Sequence, residues 1–167
     1  GISFNKEKID LPKDLRASKE LEPIQLTQGE EHLINFDISP DGKQVIFIAA
    51  PTSNPEDFEE TKLYLLDVDS KEIEKIETET NVFPDNLLFS PDGDKICYLL
   101  EDNWMNNTKL KIINLQTKKE ETLAREIDEN LYLLQWKRAG ILLKWQKKTE
   151  MVVGRLDEEG HLEELVG

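Results

Sequence analysis

The stretch LINFDISPDGKQVIFI (residues 33–48) recurs in this sequence as NLLFSPDGDKICYL (residues 86–99). In the first copy, Ile34, Phe36 and Ile38 alternate with polar residues, which is typical of a strand with one buried face. In Ser-Pro-Asp-Gly, Ser bonds locally, Pro presets φ, Asp tolerates a turn and Gly supplies a left-handed conformation. An apolar run follows this turn in both copies. Each copy is therefore predicted to be an antiparallel β-hairpin.

A second hairpin follows each copy and sets the length of the repeat. Residues 62–76 read as strand, turn and strand, and residues 109–123 repeat the arrangement. Lys62 and the corresponding Lys109 are 47 positions apart. Four short strands in about 40–50 residues is the period of a β-propeller blade.

A third copy, at residues 131–165, keeps the strand pattern but loses Ser-Pro-Asp-Gly, and only Gly140 remains in place. Trp136 and Trp145 lie in its strands and are predicted to be core residues. The fold prediction is an all-β, partial β-propeller of about three four-stranded antiparallel blades. Their predicted limits are residues 33–77, 83–123 and 131–165.

The residues before the first blade are predicted to play a different part. Residues 23–27, PIQLT, resemble the outermost strand of a preceding blade, so the propeller is predicted to span residues 22–167. Residues 1–21 mix charged residues with scattered apolar ones and are predicted to form a tether or a short helix. Helix is expected only within the first 20 residues.

The two Ser-Pro-Asp-Gly turns, at residues 39–42 and 90–93, resemble the repeats of TolB-like and WD40-like β-propellers. The same repeats occur in the propellers of prolyl-oligopeptidase-type peptidases. The resemblance implies a binding scaffold and an extracytoplasmic location, periplasmic or at the cell surface.

Propellers of this kind close with six or more blades. Nothing in the chain resembles a cap, so the end blades are expected to expose apolar faces that need a partner. Three arrangements satisfy this expectation: a homodimer that completes a ring of six to seven blades, a longer native propeller, or an open three-blade monomer.

Two functions fit the sequence. A peptidase of this kind needs a hydrolase domain with a Gly-x-Ser-x-Gly elbow, which this chain lacks, and neither His32 nor His161 has a catalytic context. The first function is a non-catalytic interaction module for a protein or small ligand, with no catalytic residue and no cofactor. The alternative is the gating propeller of a serine peptidase whose hydrolase domain is not in this chain.

Alternating hairpins place the long connections at one end of the blades, where propellers usually bind partners. Two of these connections carry the predicted binding residues. Trp and Met are large apolar groups in one loop, and an acidic run in the other attracts a cation or a basic segment, or is simply solvated. The candidate residues are Asn103, Trp104, Met105, Glu56, Asp57 and Phe58.

Charge excludes several partners. The sequence has 35 acidic and 21 basic residues, a formal net charge of -14, which repels nucleic acid and anionic lipid surfaces. No apolar stretch approaches the roughly 20 residues of a membrane helix, so no membrane insertion is predicted. The aspartates near the turns are too few for calcium, and no metal site is predicted.

Cys97, the only cysteine, lies in an apolar run and is expected to be a buried thiol.

Overall fold

The computed structural model describes residues 25–27, 29, 31–78, 82, 87–100, 107–157 and 159–167. These residues form three four-stranded antiparallel sheets, named here the first, second and third blades. In every blade the four strands are consecutive in sequence and lie in sequence order. The predicted all-β, partial-propeller architecture is confirmed.

The strands are short and regular. The first blade contains β1 (His32–Ile38), β2 (Gln44–Ala50), β3 (Lys62–Asp67) and β4 (Ile73–Ile76). The second contains β5 (Leu88–Phe89), β6 (Lys95–Leu100), β7 (Lys109–Asn114) and β8 (Glu120–Leu123). The third contains β9 (Leu131–Lys137), β10 (Gly140–Lys147), β11 (Glu150–Leu156) and β12 (Leu162–Val166).

The Ser-Pro-Asp-Gly turns are held by their own side chains. The Ser39 hydroxyl donates to Asp41 Oδ1 at 2.7 Å and accepts from the Gln44 amide at 2.9 Å. Ser90 forms the corresponding bonds in the second blade, at 2.5 and 2.9 Å. Gly42 has a φ of 73°, so the fourth position adopts the left-handed conformation that glycine was expected to supply.

A second polar device closes the outer hairpin of each blade. Asp67 Oδ1 accepts from the backbone amide of Ser70 at 2.8 Å, and Asn114 Oδ1 accepts from that of Thr117 at the same distance. In the third blade, Asp157 Oδ1 accepts from the His161 amide at 2.7 Å. These turns and the Ser-Pro-Asp-Gly turns lie at one end of the blades, named the tight-turn end. The opposite end is named the long-loop end.

The blades stack face to face. The forward face of a sheet points toward the next blade in the sequence, and the rear face points the other way. One core joins the first and second blades and includes Ile46, Ile48, Leu63, Phe89, Ile96 and Tyr98. Another joins the second and third blades and includes Cys97, Leu99, Leu110, Leu133, Leu143 and Trp145. Between the first two blades, the Phe89 amide also donates to Asp37 Oδ2 at 2.8 Å.

Two predicted core residues lie in the second of these cores. Cys97 is fully buried, and burial raises the pKa of its thiol. Trp145 is 4% exposed, and its ring lies against Gly154, where a Cβ would be only 2.7 Å from the indole. The buried indole therefore requires glycine on the neighbouring strand.

The rear face of the first blade is partly covered by residues that precede it. Leu26 packs against Phe47, Ala49 and Leu66, and the Tyr64 hydroxyl donates to Glu31 at 2.7 Å. Residues 25–27 form no strand, and residues 23 and 24 lie outside the described residues, so the assignment of 23–27 to a preceding blade stays a prediction. The predicted tether, residues 1–21, also lies outside them.

One segment differs from the sequence-based expectation. Residues Pro55–Glu60, predicted to be an acidic loop, form a short 3₁₀ helix after Asn54, so helical structure is not confined to the first 20 residues. Proline at the start suits this helix, because its missing N–H has no intrahelical partner there. Among the described residues, no helix has the length and apolarity needed to cross a membrane.

Candidate functional site

A groove opens between the second and third blades at the tight-turn end, and it is named the second groove. Its volume is about 260 Å³. The second blade contributes β6, β7, β8 and their turns, and the third contributes β9 and the ends of β10 and β11. The residues that line its apolar floor are Ile112, Leu123, Trp136, Ile141 and Leu156.

Trp136 forms the inner part of this floor. It pairs with Ile141 in the same way that Phe89 pairs with Ile96 in the second blade. Phe89 is 5% exposed, whereas Trp136 is half-buried and packs against the second core. The prediction that Trp136 is a core residue is therefore incomplete, because part of the side chain also lines the groove.

The second-blade wall carries the cationic groups of the groove. Lys119 Nζ forms an ion pair with Glu121 Oε1 at 2.6 Å. This hydrogen bond lowers the pKa of Glu121 and raises that of Lys119, so both groups are charged at neutral pH. Lys95 is exposed at the same wall and makes no salt bridge with the described residues. Asp92 and Glu121 line the same wall, so the charges of Lys95 and Lys119 are balanced there.

The third-blade wall carries one charged group, Asp157. The hydrogen bond from the His161 amide is the main reason that the pKa of Asp157 lies below its usual range, so the carboxylate is ionised at neutral pH. Potential ligand atoms of Asp157, Glu159 and His161 lie within 4.8 Å of one another. Both Asp157 oxygens contact His161, at 2.7 and 3.1 Å, and we assign no metal to these exposed groups.

The corresponding edge of the first blade has a depression of different character, named the first groove, whose lining residues all belong to the first blade. It is lined by residues at matching strand positions: Gln44, Leu65, Asp67, Glu72, Ile73 and Glu74. Glu72 and Glu74 occupy the positions of Lys119 and Glu121, and Lys118 crosses from the second blade to Glu74 at 2.8 Å. The first groove is therefore acidic, with Leu65 and Ile73 as the apolar side chains among its lining residues.

At the long-loop end, two threonines join consecutive blades. Thr61 precedes β3 and donates its hydroxyl to the Val82 carbonyl oxygen. Thr108 occupies the matching position before β7, and its hydroxyl accepts from the Leu131 amide at 2.8 Å. The third blade has only a two-residue connection, residues 148 and 149, at this end. The long loops therefore belong to the first two blades.

The structure describes only part of the predicted binding residues. Glu56 is exposed and Asp57 is half-buried at the start of the 3₁₀ helix, where Asp57 Oδ2 accepts from the Thr52 hydroxyl. Asn103, Trp104 and Met105 lie outside the described residues, as does the side chain of Phe58. Binding at the long-loop end therefore stays a prediction.

The second groove was missed in the sequence. Its floor combines residues of two blades, and the third blade lacks the Ser-Pro-Asp-Gly turn that would have aligned Trp136 with Phe89. The sequence did carry a local signal: Trp136 is the last residue but one of β9, next to a turn, where a large side chain reaches the rim of the blade stack.

Comparison with known proteins identifies the fold of this chain. No protein-family model and no curated protein matches this sequence. Among solved structures, TolB from Acinetobacter baumannii is 16% identical with a TM-score of 0.69, over 87% of this chain and 35% of that protein. TolB from Agrobacterium tumefaciens is 14% identical with a TM-score of 0.59, over 83% and 50%.

The β-propeller domain of the Trilobed protease from Pyrococcus furiosus is also similar, at 18% identity and a TM-score of 0.54, over 80% of this chain and 43% of that one. The chain thus spans half or less of the length of each of these proteins. At such identities the likeness concerns the fold alone. Stacked four-stranded blades, the Ser-Pro-Asp-Gly turns and these matches together show that the chain has the fold of a partial, TolB-like β-propeller.

Proposed function

We propose that this chain is a non-catalytic module that binds a protein partner. The observation that carries the proposal is the second groove, which combines an apolar floor with a charged rim. Pockets of this composition are the usual place for a ligand group. At about 260 Å³ it is smaller than the roughly 300–1,000 Å³ of pockets that hold drug-sized ligands. This volume suits side chains of a peptide segment better than a cofactor.

The charged groups around the groove support a binding role. Asp92 accepts from Ser90, Asp157 accepts from the His161 amide, and Glu121 is paired with Lys119. Each carboxylate is thus engaged in a turn or an ion pair and has a lowered pKa. A general acid needs a raised pKa near the working pH. Fixed, ionised groups provide recognition instead.

The long-loop end is a second surface for the same function, as the sequence suggests. If a partner binds there, Trp104→Ala weakens binding by about 2 kcal/mol and leaves stability nearly unchanged.

The alternative function, the gating propeller of a serine peptidase, is favoured by the likeness to the protease propeller from Pyrococcus furiosus. A Gly-x-Ser-x-Gly segment downstream in the same gene would establish that alternative. An extracytoplasmic location belongs to the proposal.

A random peptide library displayed on phage, selected against the whole chain, tests the module. We expect enriched peptides that bind with micromolar affinity. Trp136→Phe and Trp104→Ala variants then show which end of the blades binds them. A library that yields no binder, in repeated selections with a well-folded chain, contradicts the proposal.

A further inference from the structure

We propose that the second groove binds an extended peptide segment in which a large apolar residue is next to an arginine or lysine. The inference rests on the proposed function and specifies its partner. The apolar side chain occupies the floor formed by both blades, and the cationic group meets Asp157 at the rim.

The apolar half follows from the floor of the groove. Ile112 and Leu123 on the second blade face Trp136 and Leu156 on the third, and these side chains are only partly covered except for Leu156. Burying an apolar side chain against such a surface gains roughly 25 cal/mol per Å² of apolar area removed from water. Tryptophan at the centre of a pocket is also a frequent anchor of protein interfaces.

The cationic half follows from the third-blade wall. Of the groups that line this wall, Asp157 alone is charged, and it is ionised at neutral pH. The indole of Trp136 lines the same wall, and an aromatic face attracts a cation. The second-blade wall adds no surplus of positive charge, because the lining residues Lys95 and Lys119 are balanced by Asp92 and Glu121.

The charge of the whole chain acts in the same direction. A net charge of -14 steers a basic segment toward the protein and repels an acidic one. The first groove does not offer the same combination, since no tryptophan and no second blade contribute to its lining. Of the two grooves described, the second is therefore the one that combines an aromatic floor with a carboxylate at its rim.

Three matched peptides test the pairing: acetylated and amidated Gly-Leu-Arg-Gly, Gly-Leu-Glu-Gly and Gly-Ala-Arg-Gly. Each is titrated into the isotope-labelled full chain, and chemical shifts are followed at the Trp136 indole N–H and at the methyl groups of Ile112, Leu123 and Leu156. We expect the Leu-Arg peptide to shift these signals, with about tenfold weaker binding of either other peptide. Equal binding of the Leu-Glu peptide, or shifts elsewhere in the chain, would overturn the inference.

Two variants separate the contributions without loss of the fold. Asp157→Asn removes the charge but keeps an Oδ1 that can accept from the His161 amide, just as Asn114 Oδ1 accepts from backbone amides in its own turn. Trp136→Phe follows the second blade, where Phe89 occupies the matching position. Each is expected to weaken Leu-Arg binding about fivefold or more. Ile73→Ala, in the first groove, is the control and should change nothing.

The same variants distinguish the two proposals. Peptides from the library that bind the wild-type chain, Trp136→Phe and Asp157→Asn equally would refute this inference and leave the module proposal standing. Absence of any binder refutes both.

Discussion

The forward faces of the second and third blades occupy matching positions but differ in chemistry. In the second blade, the four central positions are Cys97, Leu99, Leu110 and Ile112, which pack under the third blade. In the third, the matching positions are Leu142, Lys144, Val153 and Arg155. Lys144 lies 5.2 Å from the centre of the Tyr132 ring, and Arg155 pairs with Glu163 at 2.5 Å.

The difference shows that the same strand pattern supports two kinds of surface. The central positions of the forward face that receives the third blade are apolar, whereas the open face of the third blade satisfies its charged groups with neighbours on the same sheet. A polar outer face is what end repeats of stacked proteins need. This face also exposes Met151 and Val166, by 50% and 68%, so the expectation that the end blades lack a cap stays a prediction. The first blade differs again, since Phe36 and Ile38 on its rear side are 55% and 52% exposed.

The largest expected effect is a loss of stability when a lysine, as found at position 144 of the third blade, is introduced at the matching position of the second blade. Leu99→Lys, which introduces a charge at a fully buried position, should destabilise the fold by about 3–5 kcal/mol, because no partner is available for it. The reverse change at the matching position, Lys144→Leu, should alter stability by about 0.5 kcal/mol or less. Urea denaturation followed by circular dichroism measures both. Equal losses would mean that the two faces are equally buried.

Substitutions that create a cavity test the same difference between the two forward faces without introducing a charge. Leu110→Ala removes a fully buried side chain and should cost about 2–4 kcal/mol. Val153→Ala, at the matching position on the open face, should cost about 1 kcal/mol or less. Midpoints of urea unfolding provide the comparison, and a larger loss at Val153 than at Leu110 would contradict it.

The open face of the third blade can also be made apolar, like the forward face of the second blade. In the double variant Lys144→Leu and Arg155→Leu, all four central positions are apolar, as in the second blade. Since exposed apolar faces associate, this variant should form dimers or larger species at micromolar concentration. Light scattering measures the mass, with Lys148→Leu at the adjacent turn as a control. The two-chain ring expected from the sequence remains a prediction, and it requires the unaltered chain to associate as well.

The smallest effect concerns the turns. Asp41 and Asp92 accept hydrogen bonds in the Ser-Pro-Asp-Gly turns, and these bonds lower the pKa of both below the usual value of 3.8. A lowered pKa in the folded state adds stability above pH 4, which is lost as the pH falls through the lowered values. The melting temperature should therefore decline below about pH 4. Asp41→Asn with Asp92→Asn should flatten this decline, whereas an unchanged profile would assign it to other carboxylates.

The blades could be predicted from the sequence because their signals are local. Four residues fix the Ser-Pro-Asp-Gly turn, and alternation over 33–38 indicates a strand, although the apolar face that it predicts to be buried is exposed at Phe36 and Ile38. The second groove and the polar open face depend on which side of each sheet meets a neighbour. Lys144 and Arg155 were visible as charges within apolar strands, but periodicity alone does not say whether a given face is covered. Only the register of stacked blades reveals that.

The order of the strands also has a consequence for how the molecule opens and closes. Every described sheet contains only strands that are neighbours in sequence, so each pairing closes a short loop at a small entropic cost. Such local contacts allow each blade to form its hydrogen bonds early, and stacking then couples the blades. Among the described residues, the second blade is covered on both faces, whereas each of the others is covered by one blade only. Backbone amides of β6 and β7 should therefore exchange with solvent deuterium last, while the outer blades fray first.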